Sequence, residues 1–284
     1  MRQSRLWSRG STLALLSVLG VMFALPFFWM IATSLRDPHE FANPATPGEL
    51  AFWLPRQFTP ENYAKVWSDR QFNLILYARN TIIIAVLQVL GATLSSSLVA
   101  YALARLQWYG RNLLLLLVLG CMMVPFSVTM VTQYDIFRTF GLIGTTAPLW
   151  LPSFFGVPFY IFLLRQFYIT IPQELSEAAR LDGCSEFTIW WRIVLPLSKP
   201  ALTVVALFAF MGAWNDFLGP LIYLNHQRQF TLAVALQSFQ SQSGGVSWEL
   251  LMAASAIVIA PVLALFLLAQ KTFVQGIATT GMKG

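Results

Sequence analysis

The sequence has little charge and few of the residues that usually carry catalysis. Only 11% of its 284 residues are charged, and it contains two histidines and two cysteines. His39 and His226 fall outside the long apolar runs, while Cys121 and Cys184 lack the spacing of a metal site. The sequence also has no G-x-x-x-x-G-K-[ST] loop to cradle phosphates, no H-E-x-x-H motif and no nucleophile elbow. These absences argue against an enzyme and a metal site, and they predict two free thiols.

Long apolar runs make up most of the chain. Hydrophobic residues account for 57% of it, and the mean hydropathy is +0.63. A run of about 20 apolar residues is long enough to cross a hydrocarbon core as a helix. The sequence therefore predicts an all-α, polytopic membrane protein. Its six predicted transmembrane helices cover residues 13–32, 81–101, 113–132, 147–164, 201–221 and 250–269.

Basic residues are distributed unequally between the predicted loops. The net charge of +6 could indicate a nucleic-acid partner, but the basic residues form no stripe. Short cytoplasmic loops of membrane proteins carry an excess of Lys and Arg, which here predicts that both termini lie inside. Only Arg138 and Arg228 fall in the shorter outer loops. The predicted inside residues are Arg2, Arg5, Arg9, Arg105, Arg111, Arg165, Arg180, Arg192, Lys199, Lys271 and Lys283.

The segments around the first span and in the last outer loop have distinct compositions. The first apolar run is too long for a signal-peptide core and has no cleavage site after it, so we expect a retained anchor. The following loop, residues 35–79, balances its charges, and its prolines prevent a long helix but allow a short one after Pro60. A Gln/Ser/Gly-rich patch at 237–247 predicts an exposed, mobile loop.

A charged island at residues 177–196 interrupts the apolar runs. Side chains this polar cannot lie in hydrocarbon, so the island is expected in water at the membrane face. Its sequence predicts one helix from Pro172 to about Leu181, a glycine turn at Gly183, and a second helix capped by Ser185 and stopped by Pro196. Phe187, Trp190, Trp191 and Val194 would form an apolar stripe on the second helix.

The island carries a recognisable motif. The pattern E-A-A, three residues, G, nine residues, I-x-L-P is the cytoplasmic signature of ABC importer permeases, and the chain resembles it at every fixed position. The matching residues are Glu177, Ala178, Ala179, Gly183, Ile193, Leu195 and Pro196. In that family the segment is a coupling helix that docks in a cleft of a separate ATPase subunit. We therefore call residues 177–196 the coupling segment; the alternative is a plain solvated loop.

The resemblance implies which residues contact the ATPase. Ala178 and Ala179 leave a small patch between carboxylates, which would let a partner's groove approach closely. The residues implied in coupling are Glu177, Ala178, Ala179, Asp182 and Gly183.

The similarity to sugar-importer permeases extends from the first span to the last residue. Among these proteins, the chain resembles the second, six-span permease of maltose-type importers. It implies a first segment at 1–34, an extracytoplasmic loop at 35–79, a transmembrane core at 80–270 and a cytoplasmic tail at 271–284 that reaches into the ATPase dimer. The implied partners are a second permease, an ATPase dimer and an extracytoplasmic binding protein, in a bacterial or archaeal cell membrane. This chain would bind no cofactor, whereas ATP and Mg would bind the partner ATPase.

Trp214, Asn215 and Asp216 form the most polar part of the fifth predicted span. Asp216 is the only acidic residue well inside an apolar run, at a depth beyond the membrane midplane. Such a carboxylate usually faces a pathway or is hydrogen-bonded within the bundle. The phrase W-N-D-F also resembles the corresponding stretch of sugar permeases. The sequence leaves a substrate-pathway role and a structural role equally open.

The sequence thus predicts a permease subunit of an ATP-driven importer for a mono- or oligosaccharide. A permease for glycerol-phosphate or a polyol would show the same pattern. The alternative of another class is an ion-coupled secondary transporter, for which Asp216 would be the carrier. No internal repeat supports that alternative.

Overall fold

The computed structural model describes residues 2–69, 72–242 and 247–280, and all regular secondary structure within these ranges is helical. Short 3₁₀ turns occur at Pro38–Phe41, Leu151–Phe155 and Gln227–Gln229, and a π turn at Trp190–Val194. The α-helices are α1 (Arg2–Ser34), α2 (Leu50–Trp53), α3 (Glu61–Ser68), α4 (Leu74–Arg105), α5 (Arg111–Met122), α6 (Phe126–Thr139), α7 (Ala147–Trp150), α8 (Pro158–Thr170), α9 (Glu174–Leu181), α10 (Glu186–Ile189), α11 (Leu195–Leu197), α12 (Lys199–Asn215), α13 (Leu218–Tyr223), α14 (Leu232–Gln242) and α15 (Trp248–Thr280).

Within the described ranges, four helical stretches are long and apolar enough to cross a membrane, or six if each of two bent helix pairs is one span. This architecture confirms the predicted all-α, polytopic membrane fold. The four stretches are Gly10–Ser34, Leu74–Arg105, Ala147–Thr170 and Trp248–Leu268. The bent pairs are Arg111–Met122 with Phe126–Thr139, and Glu186–Leu197 with Lys199–Asn215.

The chain divides into two compact units, which are described separately. The first comprises residues 1–74 and 236–261. In it, the fully buried Asn62 of α3 donates hydrogen bonds to the carbonyls of Ser34 (3.0 Å) and Arg36 (2.8 Å) at the end of α1. The Ser34 and Tyr63 hydroxyls are 2.7 Å apart. The short helix predicted after Pro60 is confirmed as α3, and it fastens the loop to the first span.

The second unit comprises residues 75–235 and 262–284. Its core joins α4, α8, α12 and the coupling segment, and Leu164, Tyr168, Ile189, Val194 and Val205 are fully buried there. The coupling segment is therefore packed into the same core as the spans and is not a loose loop. The four segment boundaries implied by the sequence differ from these two units and remain a prediction.

Several spans are less regular than the apolar pattern predicts. The third bends by 103° at Pro125, because proline cannot continue the hydrogen-bonded ladder, and α6 then continues through half of the predicted outer loop, to Thr139. The patch predicted to be mobile at 237–247 is helical as far as Gln242, because α14 extends into it, and its residues 243–246 lie outside the described residues. The final span runs on as one helix to Thr280; residues 281–284 of the predicted tail also lie outside the described residues.

Candidate functional site

Helix α9 ends in a glycine turn. Gly183 has a φ of 79°, in the left-handed region that favours glycine, as the sequence predicts. The N–H of Cys184 donates to the Ala179 carbonyl (2.9 Å), and the N–H of Gly183 donates to the Arg180 carbonyl (3.0 Å). This pair of bonds is a Schellman motif, which satisfies the last carbonyls of a helix. Ser185 then caps α10, because its hydroxyl accepts from the Thr188 N–H at 3.3 Å. The predicted turn and cap are both confirmed.

One face of α9 is open to solvent. Ala178 is exposed on this face, whereas Ala179 is only 6% exposed and packs inward. Adjacent residues of a helix point about 100° apart, so the two alanines cannot form one contact patch as the sequence reasoning supposed. Leu181, which that reasoning passed over, is 90% exposed at the tip of the helix. The other exposed residues of this helix and its turn are Glu174, Leu175, Glu177, Arg180, Asp182 and Gly183.

An ion pair joins the two helices of the coupling segment and connects them to α4. The Arg180 guanidinium donates to the Glu186 carboxylate at 2.6 and 3.3 Å, and the Tyr101 hydroxyl of α4 donates to the same carboxylate at 2.5 Å. Hydrogen bonding from Arg180 lowers the pKa of Glu186 below its usual value, although partial burial opposes the shift. Glu186 is therefore ionised at neutral pH, and its carboxylate accepts hydrogen bonds from the charged Arg180 and the neutral Tyr101.

A second polar link between the coupling segment and the spans is formed by buried side chains. Trp190 Nε1 donates to the Ser97 hydroxyl of α4 (2.9 Å), which lies 2.6 Å from the Tyr168 hydroxyl of α8. Of the predicted apolar stripe, Trp190 and Val194 are buried against these spans, while Phe187 and Trp191 are largely exposed. Through these two sets of hydrogen bonds, the coupling segment is connected to α4 and, through Ser97, to α8.

Pro196 does not stop the second helix. The backbone widens into a π turn at Trp190–Val194, and helix α11 continues to Leu197. In an α-helix the proline ring would clash with the carbonyl four residues earlier. The wider π turn moves that carbonyl away, so the chain can stay helical through the proline.

The fifth span breaks at Asp216. Helix α12 ends at Asn215 and α13 begins at Leu218, so Asp216 lies in a break and not in a continuous helix as the sequence predicted. Its carboxylate accepts from the Gly219 N–H at 3.0 Å and so caps the second piece. Trp214 is buried and stacks on Phe210, and the Asn215 side chain donates to the Met211 carbonyl at 2.9 Å. Asp216 thus has a structural bond, while Trp214 and Asn215 contact their own helix.

Asp216 also lines a cavity of about 440 Å³. Among the other described residues that line it, none is charged, and neither Trp214 nor Asn215 belongs to the lining. Sequence reasoning missed the glutamines and the tyrosine of this wall, because each lies in a separate helix and no local pattern connects them. The other lining residues are Gln88, Phe126, Gln133, Pro148, Leu149, Pro152, Ser153, Gly156, Val157, Pro158, Gly219 and Tyr223.

One wall of the cavity is the broken fourth span. Between α7 and α8 the chain forms a 3₁₀ turn and then leaves helical geometry at Gly156, whose φ is 91°. The Ser95 hydroxyl of α4 donates to the Ser153 carbonyl (2.8 Å), and the Ser96 hydroxyl accepts from the Val157 N–H (3.0 Å). Irregular backbone at membrane depth needs such partners. Ser95 and Ser96 of α4 therefore stabilise the break.

Neither region has the ligands of a metal centre. Across the part of the chain that the structure describes, no three His, Cys, Asp or Glu side chains are grouped to hold an ion. Cys121 and Cys184 are free thiols, as the sequence predicts.

Comparisons with known proteins cover most of the chain. A family model described as "Binding-protein-dependent transport system inner membrane component" matches residues 92–279. The chain is 33% identical over 269 residues to the trehalose/maltose transport system permease protein MalG of Thermococcus litoralis, covering 94% of each chain. It is 33% identical over 259 residues to the arabinooligosaccharides transport system permease protein AraQ of Halalkalibacterium halodurans, covering 91% of each.

A solved structure shares the fold. It is a chain of a bacterial ABC transporter involved in the import of the acidic polysaccharide alginate. The TM-score is 0.78 at 22% sequence identity, and the match covers 95% of this chain and 98% of the other.

Proposed function

Because the chain belongs to the family of binding-protein-dependent transport system inner membrane components, we propose that it is the permease subunit through which an ATP-driven importer carries a sugar. The sugar assignment is supported by the relatives, which include a trehalose/maltose permease and an arabinooligosaccharide permease. The observation that carries the mechanism is the exposed face of α9, which ends in the Gly183 turn and is linked through Glu186 and Trp190 to α4 and α8.

We further propose that this face docks on an ATPase dimer. On this face the small side chain of Ala178 lies between the carboxylates of Glu177 and Asp182. Leu181 offers an apolar side chain of the kind that inserts in a partner's groove. Gly183 sets the turn behind the patch, and Ala179 seats the helix on the spans. ATP and Mg would bind the partner ATPase, so this chain would bind no cofactor and act without an ATPase site of its own.

The remaining partners follow from the same proposal. A second permease would complete the pathway, and an extracytoplasmic binding protein would deliver the sugar. The chain would lie in a bacterial or archaeal cell membrane with both termini in the cytoplasm, as the inside excess of basic residues favours. Alternating access then requires that closure of the ATPase dimer moves the coupling segment, and the segment moves the spans with which it shares a core.

The function is tested by ATP-dependent uptake. Cells that express the chain with its genomic neighbours would be supplied with radiolabelled trehalose, arabinotriose, glycerol and glycerol 3-phosphate, and purification of the complex would identify its subunits by mass spectrometry. Uptake of a sugar that needs ATP and the partner ATPase supports the proposal. Uptake of glycerol or glycerol 3-phosphate alone would favour the non-sugar permease. Uptake that collapses with the proton gradient while ATP is held constant would favour a secondary transporter.

The proposed orientation is tested by labelling. Single cysteines would replace Ala45, Gln242, Ser185 or Thr279 in a chain whose two native cysteines are changed to serine. An impermeant maleimide should label positions 45 and 242 in sealed cells, but positions 185 and 279 only after permeabilisation. The reverse pattern would overturn the orientation with both termini inside.

A further inference from the structure

The cavity beside the break in the fifth span carries negative charge from Asp216 and no positive charge from its described lining residues. Among the described residues of its wall, Asp216 is the only carboxylic acid, and none is Lys, Arg or His. The remaining polar groups are amide and hydroxyl side chains, chiefly Gln88, Gln133 and Ser153, set among proline and aliphatic side chains. Such a wall can hydrogen-bond a neutral polar solute, but it offers no counter-charge to an anion.

The Asp216 carboxylate is held firmly in this wall. One oxygen accepts from the Gly219 N–H, and the other lies so close to residue 219 that a Cβ there would collide with it. The glycine therefore allows the carboxylate to lie close to α13. Because the position is fixed before any solute arrives, the acceptor is preorganised, which lowers the cost of binding.

A spare donor lies beside the same wall. Tyr223 is only 3% exposed and is one of the residues that line the cavity, yet its hydroxyl has no hydrogen-bond partner among the described residues. A buried hydroxyl without a partner is costly and rare. A solute hydroxyl in the cavity would supply the missing acceptor.

We propose that this cavity is a binding subsite for an uncharged, hydroxyl-bearing sugar unit, and that Asp216 makes it reject anionic solutes. The proposal rests on the proposed function and narrows it, because it places part of the sugar path in this chain and disfavours phosphorylated or carboxylated substrates. A volume of about 440 Å³ falls within the range of small-molecule sites and suits a single sugar unit with water. The alginate importer shares the fold with this chain but differs from this expectation in the charge of its substrate.

The charge of the cavity can be tested without knowing the sugar. Leu149 lines the cavity, so Leu149→Cys, in the complex with the two native cysteines changed to serine, places a thiol there. We expect a cationic methanethiosulfonate to react about tenfold faster than an anionic one after correction for their reaction with free thiol, since a cleft lined by one sign of charge changes ion on-rates by tenfold or more. Adding Asp216→Asn should abolish that preference. Equal rates with Asp216 present would overturn the proposal.

The second measurement concerns the sugar. In the ATP-dependent uptake assay, Tyr223→Phe should raise the apparent KM by roughly 2- to 10-fold with an unchanged maximal rate, the effect of one neutral hydrogen bond. Tyr134→Phe is the matched control: Tyr134 stacks on Tyr223 with ring centroids 6.4 Å apart but does not line the cavity, so its KM should not change.

The two proposals fail differently. If sugar is taken up but Tyr223→Phe and Asp216→Asn both leave KM unchanged, the subsite is wrong and the permease function stands. If no sugar in the panel is carried, the sugar function fails, and the thiol reaction rates still decide whether the cavity selects against anions.

Discussion

Two positions in this molecule require glycine for different physical reasons. Gly183 follows α9 with a φ of 79°, and a Cβ added there would meet nothing within 4 Å. Gly219 lies inside α13 in ordinary helical backbone, but a Cβ there would collide with the Asp216 carboxylate and lie 3.1 Å from Leu149 Cδ2. The first position needs the conformational freedom of glycine, and the second needs its small size.

The difference shows what each region has to preserve. At the coupling segment the chain must reverse in open solvent so that α9 presents its exposed face. At the cavity the chain must let a carboxylate approach the backbone of the next helix. Substitutions that change only the allowed φ at Gly183, or only the side-chain size at Gly219, should show separately how each region contributes to uptake.

The largest effect is expected for Gly183→Val. A β-branched residue strongly disfavours positive φ, and the left-handed conformation costs an L-residue roughly 1–2 kcal/mol. The turn would change and misplace Glu177 to Ala179, so ATP-dependent uptake should be lost while the chain still inserts at normal levels. Gly183→Asn is the control, because asparagine tolerates this conformation and should keep most of the uptake. Normal uptake and ATPase stimulation with valine would remove the role assigned to the turn.

Gly219→Ala should have the next largest effect. The added methyl group must displace the Asp216 carboxylate, and overpacking of this kind costs about 1–3 kcal/mol. We expect uptake to fall about tenfold with little change in expression, since that cost corresponds to a 5- to 150-fold change in an equilibrium. Gly212→Ala in the same span is the control, because its Cβ would lie an ordinary 4.0 Å from Gln88. Equal uptake by the two variants would show that the close approach at Gly219 does not matter.

Asp216→Asn should have a smaller effect than Gly219→Ala. Asp216→Asn keeps the shape and the acceptor oxygen that caps α13, so uptake of a neutral sugar should survive in part, at about a third to a tenth of the parent rate for one weakened charge-assisted bond. Asp216→Leu removes the cap and should be far worse. The comparison is made by initial rates of ATP-dependent uptake, and an Asn variant as inactive as the Leu variant would show that the charge itself is required.

The smallest effect is expected for Ser185→Ala. It removes the cap of α10 directly after the Gly183 turn, and loss of such a cap typically costs about 1 kcal/mol. The Arg180–Glu186 pair and the Trp190–Ser97 bond would still hold the segment. The expected result is a lower thermal midpoint of the purified complex with nearly normal uptake. A loss as complete as that of Gly183→Val would mean that the cap, and not the glycine, sets the geometry.

Much of the fold could be read from local patterns. The apolar runs predicted the membrane helices, Pro60 predicted α3, and the Asp-Gly-x-Ser phrase predicted the turn at Gly183 and the cap at Ser185. Each of these depends on a residue's own backbone preference or on neighbours within one helical turn. The prediction that Pro196 stops the second helix was wrong, because the π turn before Pro196 is a backbone rearrangement that the helix propensity of proline does not predict.

The candidate sites divide in the same way. The motif from Glu177 to Pro196 and the presence of a carboxylate at Asp216 are determined by the sequence alone, since they are matters of residue type, spacing and charge. The burial of Ala179, the exposure of Leu181, the cap from Asp216 to Gly219 and the cavity shared with Gln88, Gln133 and Tyr223 were decided only by the tertiary structure. These depend on how separate helices pack, and contacts between residues far apart in the chain leave no periodic signal in its sequence.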